Sequence, residues 1–126
     1  MSKVCFSSKT FGSSKLYSTA VKAGGLMFIS GMGPTDPATG KAEKGGFSAQ
    51  MHRVLQNLGI VLEELGLGYG DVVKTNIYLS NMENFAQAND VYTQYFTQDL
   101  PARTTVQVAR LPGDIAVEIE LVAALR

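Results

Sequence analysis

The chain has 126 residues, with 11 basic and 11 acidic side chains and a formal net charge of zero. At 45% hydrophobic and 17% charged, it can bury a core without staples, reads as one domain over residues 1–126, and falls outside the disordered class. A neutral balance offers no basic stripe to a phosphate backbone, which disfavours nucleic acid as a partner.

Cys5 is the only cysteine and His52 the only histidine. An internal disulfide is therefore excluded, as is a Cys/His metal site within one chain. The opening MSKVCFSSK lacks the apolar core and cleavage motif of a secretory signal. No run approaches the ~18 apolar residues of a membrane span. A soluble cytoplasmic protein is the expectation.

In chain order, residues 4–7 read as a short edge strand and residues 8–15, rich in Ser, Lys and Gly, as a loop. Residues 17–23 alternate loosely, and Gly24-Gly25 turns them into Leu26-Met27-Phe28-Ile29-Ser30-Gly31, a predicted hairpin. Four consecutive apolar residues, Leu26 to Ile29, predict a strand buried on both faces. Residues 32–46 read as a surface loop. Residues 47–65 place Met51, Val54, Leu55, Leu58, Val61, Leu62 and Leu65 at helical spacing, with Gly66 as the stop.

Residues 71–80 read as a strand by β-branched content, with Val73, Thr75, Ile77 and Leu79 on one face. Ser80-x-x-Glu83 matches a capping box, and Met82, Phe85, Tyr92, Tyr95 and Phe96 form the stripe of a second helix. Pro101 closes that connection. The last stretch, PARTTVQVARLPGDIAVEIE at residues 101–120, has two alternating runs around a Leu111-Pro112-Gly113-Asp114 turn. It reads as a hairpin or near-hairpin, with Arg103 at the mouth of one run and Glu118 within the other. Alternation places Val117, Ile119 and Leu121 on the core face and Glu118 and Glu120 opposite.

This order predicts an α+β fold, one mixed sheet with two helices packed on one face. The other face would carry Thr105, Ala109, Glu118 and Val122 with parts of the 26–29 strand. An apolar sheet face needs cover, so self-association through the sheet is expected. Gly66-x-Gly68-x-Gly70 follows a helix and precedes a strand, the reverse of a dinucleotide fingerprint, and reads as a turn.

Several segments together carry a resemblance. They are Tyr17, Ser30-Gly31, the long helix, Gly70-Asp71-Val72-Val73-Lys74-Thr75 and Phe85-x-x-x-Asn89-x-x-Tyr92-x-x-Phe96. Pro101-Ala102-Arg103-Thr104, Val108-Ala109-Arg110-Leu111-Pro112 and Val117-Glu118-Ile119-Glu120 complete the set. From about Tyr17 to the C terminus the chain resembles the Rid family, also called the YjgF or L-PSP endoribonuclease family, and most closely its RidA-like branch. The combined Arg103 and Glu118 segment is the specific part.

The resemblance implies a chorismate-mutase-like fold (Bacillus type), a homotrimer with sheets facing inward, and small-molecule clefts at the subunit interfaces. It implies hydrolysis of enamines and imines, such as 2-aminoacrylate, to 2-keto acids and ammonia, with no cofactor and no metal. Position by position, the carboxylate-binding arginine falls on Arg103 and the water-activating glutamate on Glu118. Substrate-binding positions fall on Tyr17, Gly31 and Asn89, and on Thr105, which stands where many members carry a cysteine. The chain also departs from the pattern at Ser14-Lys15-Leu16-Tyr17-Ser18-Thr19 and at Met32, positions that bear on substrate range. In a trimer Arg103 and Glu118 need not face each other within one chain.

Residue types alone leave other readings open. Arg103 fits a structural ion pair or a solvated strand end, and Glu118 a polar residue on a wet face. Tyr17 fits packing, Gly31 a bulge, and Asn89 an exposed helix position. A non-catalytic module that binds small carboxylates or partner proteins is the alternative function. Endoribonuclease or translation-inhibitor activity is a third, which the neutral composition does not support.

Overall fold

The computed structural model describes residues 2–126. Strands β2 (Ala20–Ala23) and β3 (Leu26–Met32) pair antiparallel across the Gly24-Gly25 turn, and β1 (Val4–Phe6) joins β2 as an edge. Helix α1 (Phe47–Glu64) turns Met51, Val54, Leu55, Leu58, Val61 and Leu62 into the core, as the spacing predicts. It ends in a Schellman arrangement: Leu67 N–H bonds Leu62 O at 2.8 Å and Gly66 N–H bonds Glu63 O at 3.0 Å. Gly66 sits at φ 76°, where a Cβ is strained. Gly66→Ala is expected to cost about 1 kcal/mol, read as a melting temperature lower by roughly 3–6 °C.

Strand β4 (Val72–Leu79) buries Thr75, Ile77 and Leu79 as expected, but Val73 faces out and Val72 is buried instead. The cause is a register shift against the neighbouring strand between Val72 and Lys74, a bulge that reverses the facing of the residues before it. The second helix is also shorter than its apolar stripe suggests. A 3-10 turn at Met82–Asn84 precedes α2 (Phe85–Tyr92), which buries Ala88, Val91 and Tyr92. Asn81, not Ser80, supplies the cap: its Oδ1 accepts the Glu83 N–H at 2.9 Å. Ser80 is still engaged as the end of the strand, its N–H bonding Ala116 O at 3.1 Å. Phe96 lies beyond the helix yet stays buried, stacked on Tyr92 with ring centroids 4.6 Å apart.

Strands β5 (Ala102–Gln107) and β6 (Val117–Ala124) complete one mixed six-stranded sheet in the order β1-β2-β3-β6-β4-β5. Residues 101–120 therefore do not form a hairpin. β4 lies between β5 and β6, pairing parallel with the first and antiparallel with the second. The intervening segment crosses the end of β4, where Val108 N–H bonds Leu79 O and Ala116 O accepts the Ser80 N–H. A parallel partner requires a crossover, and α2 provides it between β4 and β5.

Both helices cover one face of this sheet, giving the α+β architecture expected. Met27 and Ile29 of β3 are buried beneath α1, but Leu26 and Phe28 remain 37% and 45% exposed on the helix-free face. Burial of β3 on both faces is thus not achieved within one chain, because no second layer lies there. Thr105 is in register with buried Ile77, which places it on the helix side rather than on the open face. Among the described residues no helix is long and apolar enough to cross a membrane, and no group of three or more His, Cys, Asp or Glu could hold a metal ion.

Candidate functional site

Arg103 lies on the edge strand β5, in register with Thr75, so its side chain rises toward α2. Nε donates to Thr105 Oγ1 at 2.8 Å, and Nη2 donates to Asn89 Oδ1 at 2.5 Å. The guanidinium carbon stands 4.7 Å from the Tyr92 ring centroid and 5.7 Å from that of Phe85. Phe85, Asn89 and Tyr92 are spaced i, i+4, i+7 on α2, which puts all three on one helix face. Tyr92 is fixed in turn by a 3.0 Å hydrogen bond between its hydroxyl and Thr75 Oγ1.

Among the described residues, the ion pairs involve Arg53, Arg110 and Arg126, and none involves Arg103. A planar cation aimed by neutral oxygens and aromatic faces keeps its charge for an incoming anion. The groove in front of it is walled by Phe85, Asn89, Thr93 and Thr105. Phe96, Leu100 and Pro101 extend an apolar wall beside it.

Glu118 occupies the other face. It is in register with Tyr78 of β4, between the buried Val117 and Ile119. β3 carries an irregularity between Ile29 and Met32, and within it Gly31 comes against the carboxylate. A Cβ on Gly31 would stand 2.6 Å from Glu118 Oε2 and 2.9 Å from Cδ. Only a residue without a side chain leaves the carboxylate in place. Burial, and to a lesser extent the neighbouring Glu120, hold the Glu118 carboxyl above its ordinary value.

Glu120 is itself occupied: its Oε1 accepts hydrogen bonds from the Tyr78 hydroxyl and from Asn76 Nδ2. The Tyr78 phenol is pushed up to about 12, first by that bond and then by burial. Of the two carboxylates on this face, Glu118 is the one without a hydrogen-bond partner among the described residues.

Tyr17, 59% exposed, shares a shallow recess with Phe11, Thr19, Ser30, Gly31 and Met32. Ser30 at its floor is tied down, its Oγ donating to Ser18 O at 2.7 Å. The expected site residues thus fall into two clusters. Arg103, Asn89 and Thr105 meet on the helix side of the edge strand, whereas Tyr17, Gly31 and Glu118 gather around the β3 bulge. β4 separates the strands that bear Arg103 and Glu118, and the two side chains point to opposite faces. One chain does not bring them together, contrary to the close pair that a hairpin would make. Phe85 and Tyr92, read from sequence as core stripe, prove to be the aromatic faces that carry the guanidinium. Their spacing with Asn89 was the available signal, but a core stripe has the same spacing.

The profile of the family described as Endoribonuclease L-PSP matches residues 8–125. A RutC family protein of Pyrococcus horikoshii is 46% identical over 107 residues, covering 85% of this chain and 85% of that protein. The 2-iminobutanoate/2-iminopropanoate deaminase of Mus musculus is 40% identical over 107 residues, covering 85% of this chain and 79% of its own. The crystal structure of E. coli TdcF with bound serine superposes with a TM-score of 0.88 at 32% identity, covering 99% of this chain and 100% of that one.

Proposed function

The chain belongs to the endoribonuclease L-PSP, or Rid, family, and on that premise we propose that it hydrolyses small reactive enamines and imines. The substrates are 2-imino acids of the 2-aminoacrylate type, and the products are 2-keto acids and ammonia. The observation that carries this reading is Arg103, a cation with two neutral side-chain partners, two aromatic faces and, among the described residues, no carboxylate of its own. A relative named as a 2-iminobutanoate/2-iminopropanoate deaminase supports the same reaction class.

The chemistry asks for little. The enamine tautomerises to an imine, which takes a proton from solvent on nitrogen to give an iminium whose C2 is electrophilic. Arg103 holds the substrate carboxylate, which fixes C2 and removes part of the entropic barrier. Glu118 takes a proton from water as its oxygen bonds to C2, giving a carbinolamine. It then returns that proton to the nitrogen. As the C–N bond breaks and ammonia leaves, Glu118 takes the hydroxyl proton, so that the C=O bond of the 2-keto acid forms and the proton passes on to solvent. A carboxyl held above its ordinary value suits both directions of transfer.

The reading includes a homotrimer in which the cleft combines Arg103 of one copy with Glu118 of a neighbour. The opposite facing of the two side chains supports it, as do the uncovered Leu26, Phe28 and Val73 on the helix-free face. The expected outcome is subunit complementation. Arg103→Ala and Glu118→Gln chains, each strongly impaired alone at subsaturating substrate, should regain roughly a quarter of wild-type activity when co-refolded in equal amounts, the random fraction of two-chain clefts with both groups intact. No recovery in mixed oligomers, or a stable monomer at micromolar concentration by light scattering, would refute the shared cleft.

The reaction itself is tested by generating 2-aminoacrylate in situ and following 2-keto acid release. A wild-type rate equal to the no-protein control would remove the deaminase reading. The bound serine of TdcF favours a second one, small-carboxylate binding without turnover. Calorimetric binding of a 2-keto acid, lost in Arg103→Ala, combined with no imine hydrolysis would select it.

A further inference from the structure

We propose that Asn57 and Gln50, seven residues apart on α1, are positioning residues that hold Gly31 against Glu118 by gripping the backbone on both sides of that contact. The inference rests on the reading of Glu118 as the proton-transfer group. Ile29 pairs with Leu121 and Met32 with Ile119, so Ser30 and Gly31 of β3 together oppose Glu120 alone. At such a bulge the ladder is interrupted, and the position of Gly31 must be set from elsewhere.

Ser30 is held on the upstream side by Ser18 and Thr19. Downstream, Asn57 Nδ2 donates to Gly33 O at 3.1 Å and to Thr35 O at 2.7 Å. On the facing strand, Gln50 Oε1 accepts the Ala116 N–H at 2.9 Å, two residues before Glu118. Both amides come from the same helix, so one rigid element sets the spacing between the two strand ends.

Asn57 is 0% exposed and lies between Val54 and Val61 on the apolar face of α1. A leucine there would continue the stripe. The amide is retained even though its Oδ1 has no hydrogen-bond partner among the described residues, an arrangement that costs stability. What the amide does supply is two donors to the segment that leaves the bulge.

The test uses Asn57→Leu and Gln50→Met in the full chain, with two readouts. The first is turnover: kcat should fall about tenfold or more. KM should stay within about twofold, because Arg103 lies on the other face and is untouched. Melting temperature should fall by only a few degrees, since Asn57→Leu removes an unsatisfied buried acceptor while it releases the Gly33 and Thr35 carbonyls. The second readout is the carboxyl 13C titration of Glu118, whose midpoint should move down as the cover from Gly31 loosens. Glu120 of β6 and Tyr78 of β4, the titrating groups that face it, are unchanged in both variants.

A Glu118 midpoint equal to wild type in both variants overturns the proposal, whatever the turnover. A protein that releases no 2-keto acid defeats the deaminase reading while the titration still decides the clamp. If Asn57→Leu does not fold, Gln50→Met carries the test.

Discussion

Arg103→Ala is expected to lower kcat/KM for 2-imino acid hydrolysis by roughly 100- to 1000-fold, mostly through a higher KM. The substrate carboxylate would lose a bidentate, charge-assisted contact, and removing one partner of such a contact costs about 3–4 kcal/mol. Arg103→Lys should recover only part of the loss. A lysine brings the charge but not the planar fork, and it cannot reproduce the paired bonds to Thr105 and Asn89 that aim the guanidinium. Folding should be little affected, because Arg103 sits on an edge strand and contributes a half-exposed cation–π contact of about 0.5–1 kcal/mol. The check is 2-keto acid release from 2-aminoacrylate generated in situ, beside a thermal melt of each variant. Wild type and Arg103→Ala with equal, substantial rates would remove Arg103 from the mechanism.

Glu118→Gln acts on the other half of the reaction. Turnover should fall by about 100- to 10,000-fold with KM nearly constant, since proton transfer is lost while carboxylate binding is kept. The pH dependence has a definite sign. Burial holds the Glu118 carboxyl above its ordinary value, and the first proton transfer needs the ionised form. The acidic limb of kcat/KM should therefore lie above the ordinary glutamate range, and the Gln variant should lack it.

Stability moves the opposite way. The folded protein binds this proton more tightly than the unfolded chain, so the group favours folding below its unfolded midpoint. That contribution is lost as pH rises through the raised folded midpoint. At neutral pH Glu118→Gln should be as stable as wild type or slightly more so, and the advantage should vanish on acidification. A variant that loses activity but not stability is the mark of a group kept for chemistry. Urea melts at two pH values beside the pH–rate profile decide it, and a wild-type acidic limb retained in Glu118→Gln would sink the assignment.

Local pattern located both helices and the six strands, because side-chain period is a property of a few consecutive residues. The stripe from Met51 to Leu62 is buried as its spacing demands, and Val117, Ile119 and Leu121 alternate with Glu118 and Glu120 as a half-buried strand must. Where local pattern erred, a neighbouring element intervened. Val73 was turned out by a bulge set against β6, Asn81 took the cap because it, and not Ser80, directly precedes the 3-10 turn at Met82, and Asn57 passed unnoticed as a polar residue within an apolar stripe. The family resemblance pointed to Arg103 and Glu118 as candidates, but their placement needed the sheet order.

By itself the sequence determined which segments are helices and which are strands, most of their apolar faces, and that a cation and a carboxylate flank the final turn. Only the tertiary structure decided that residues 101–120 contribute two strands with β4 between them, and that Arg103 and Glu118 look out from opposite faces. The reason is physical. Alternation settles which face of a strand is apolar, but a strand's neighbour is chosen by the whole chain, through whichever order lets both helices cover one face. Here that order gave β5 a parallel partner in β4, and so set the two candidate groups on opposite faces of the sheet.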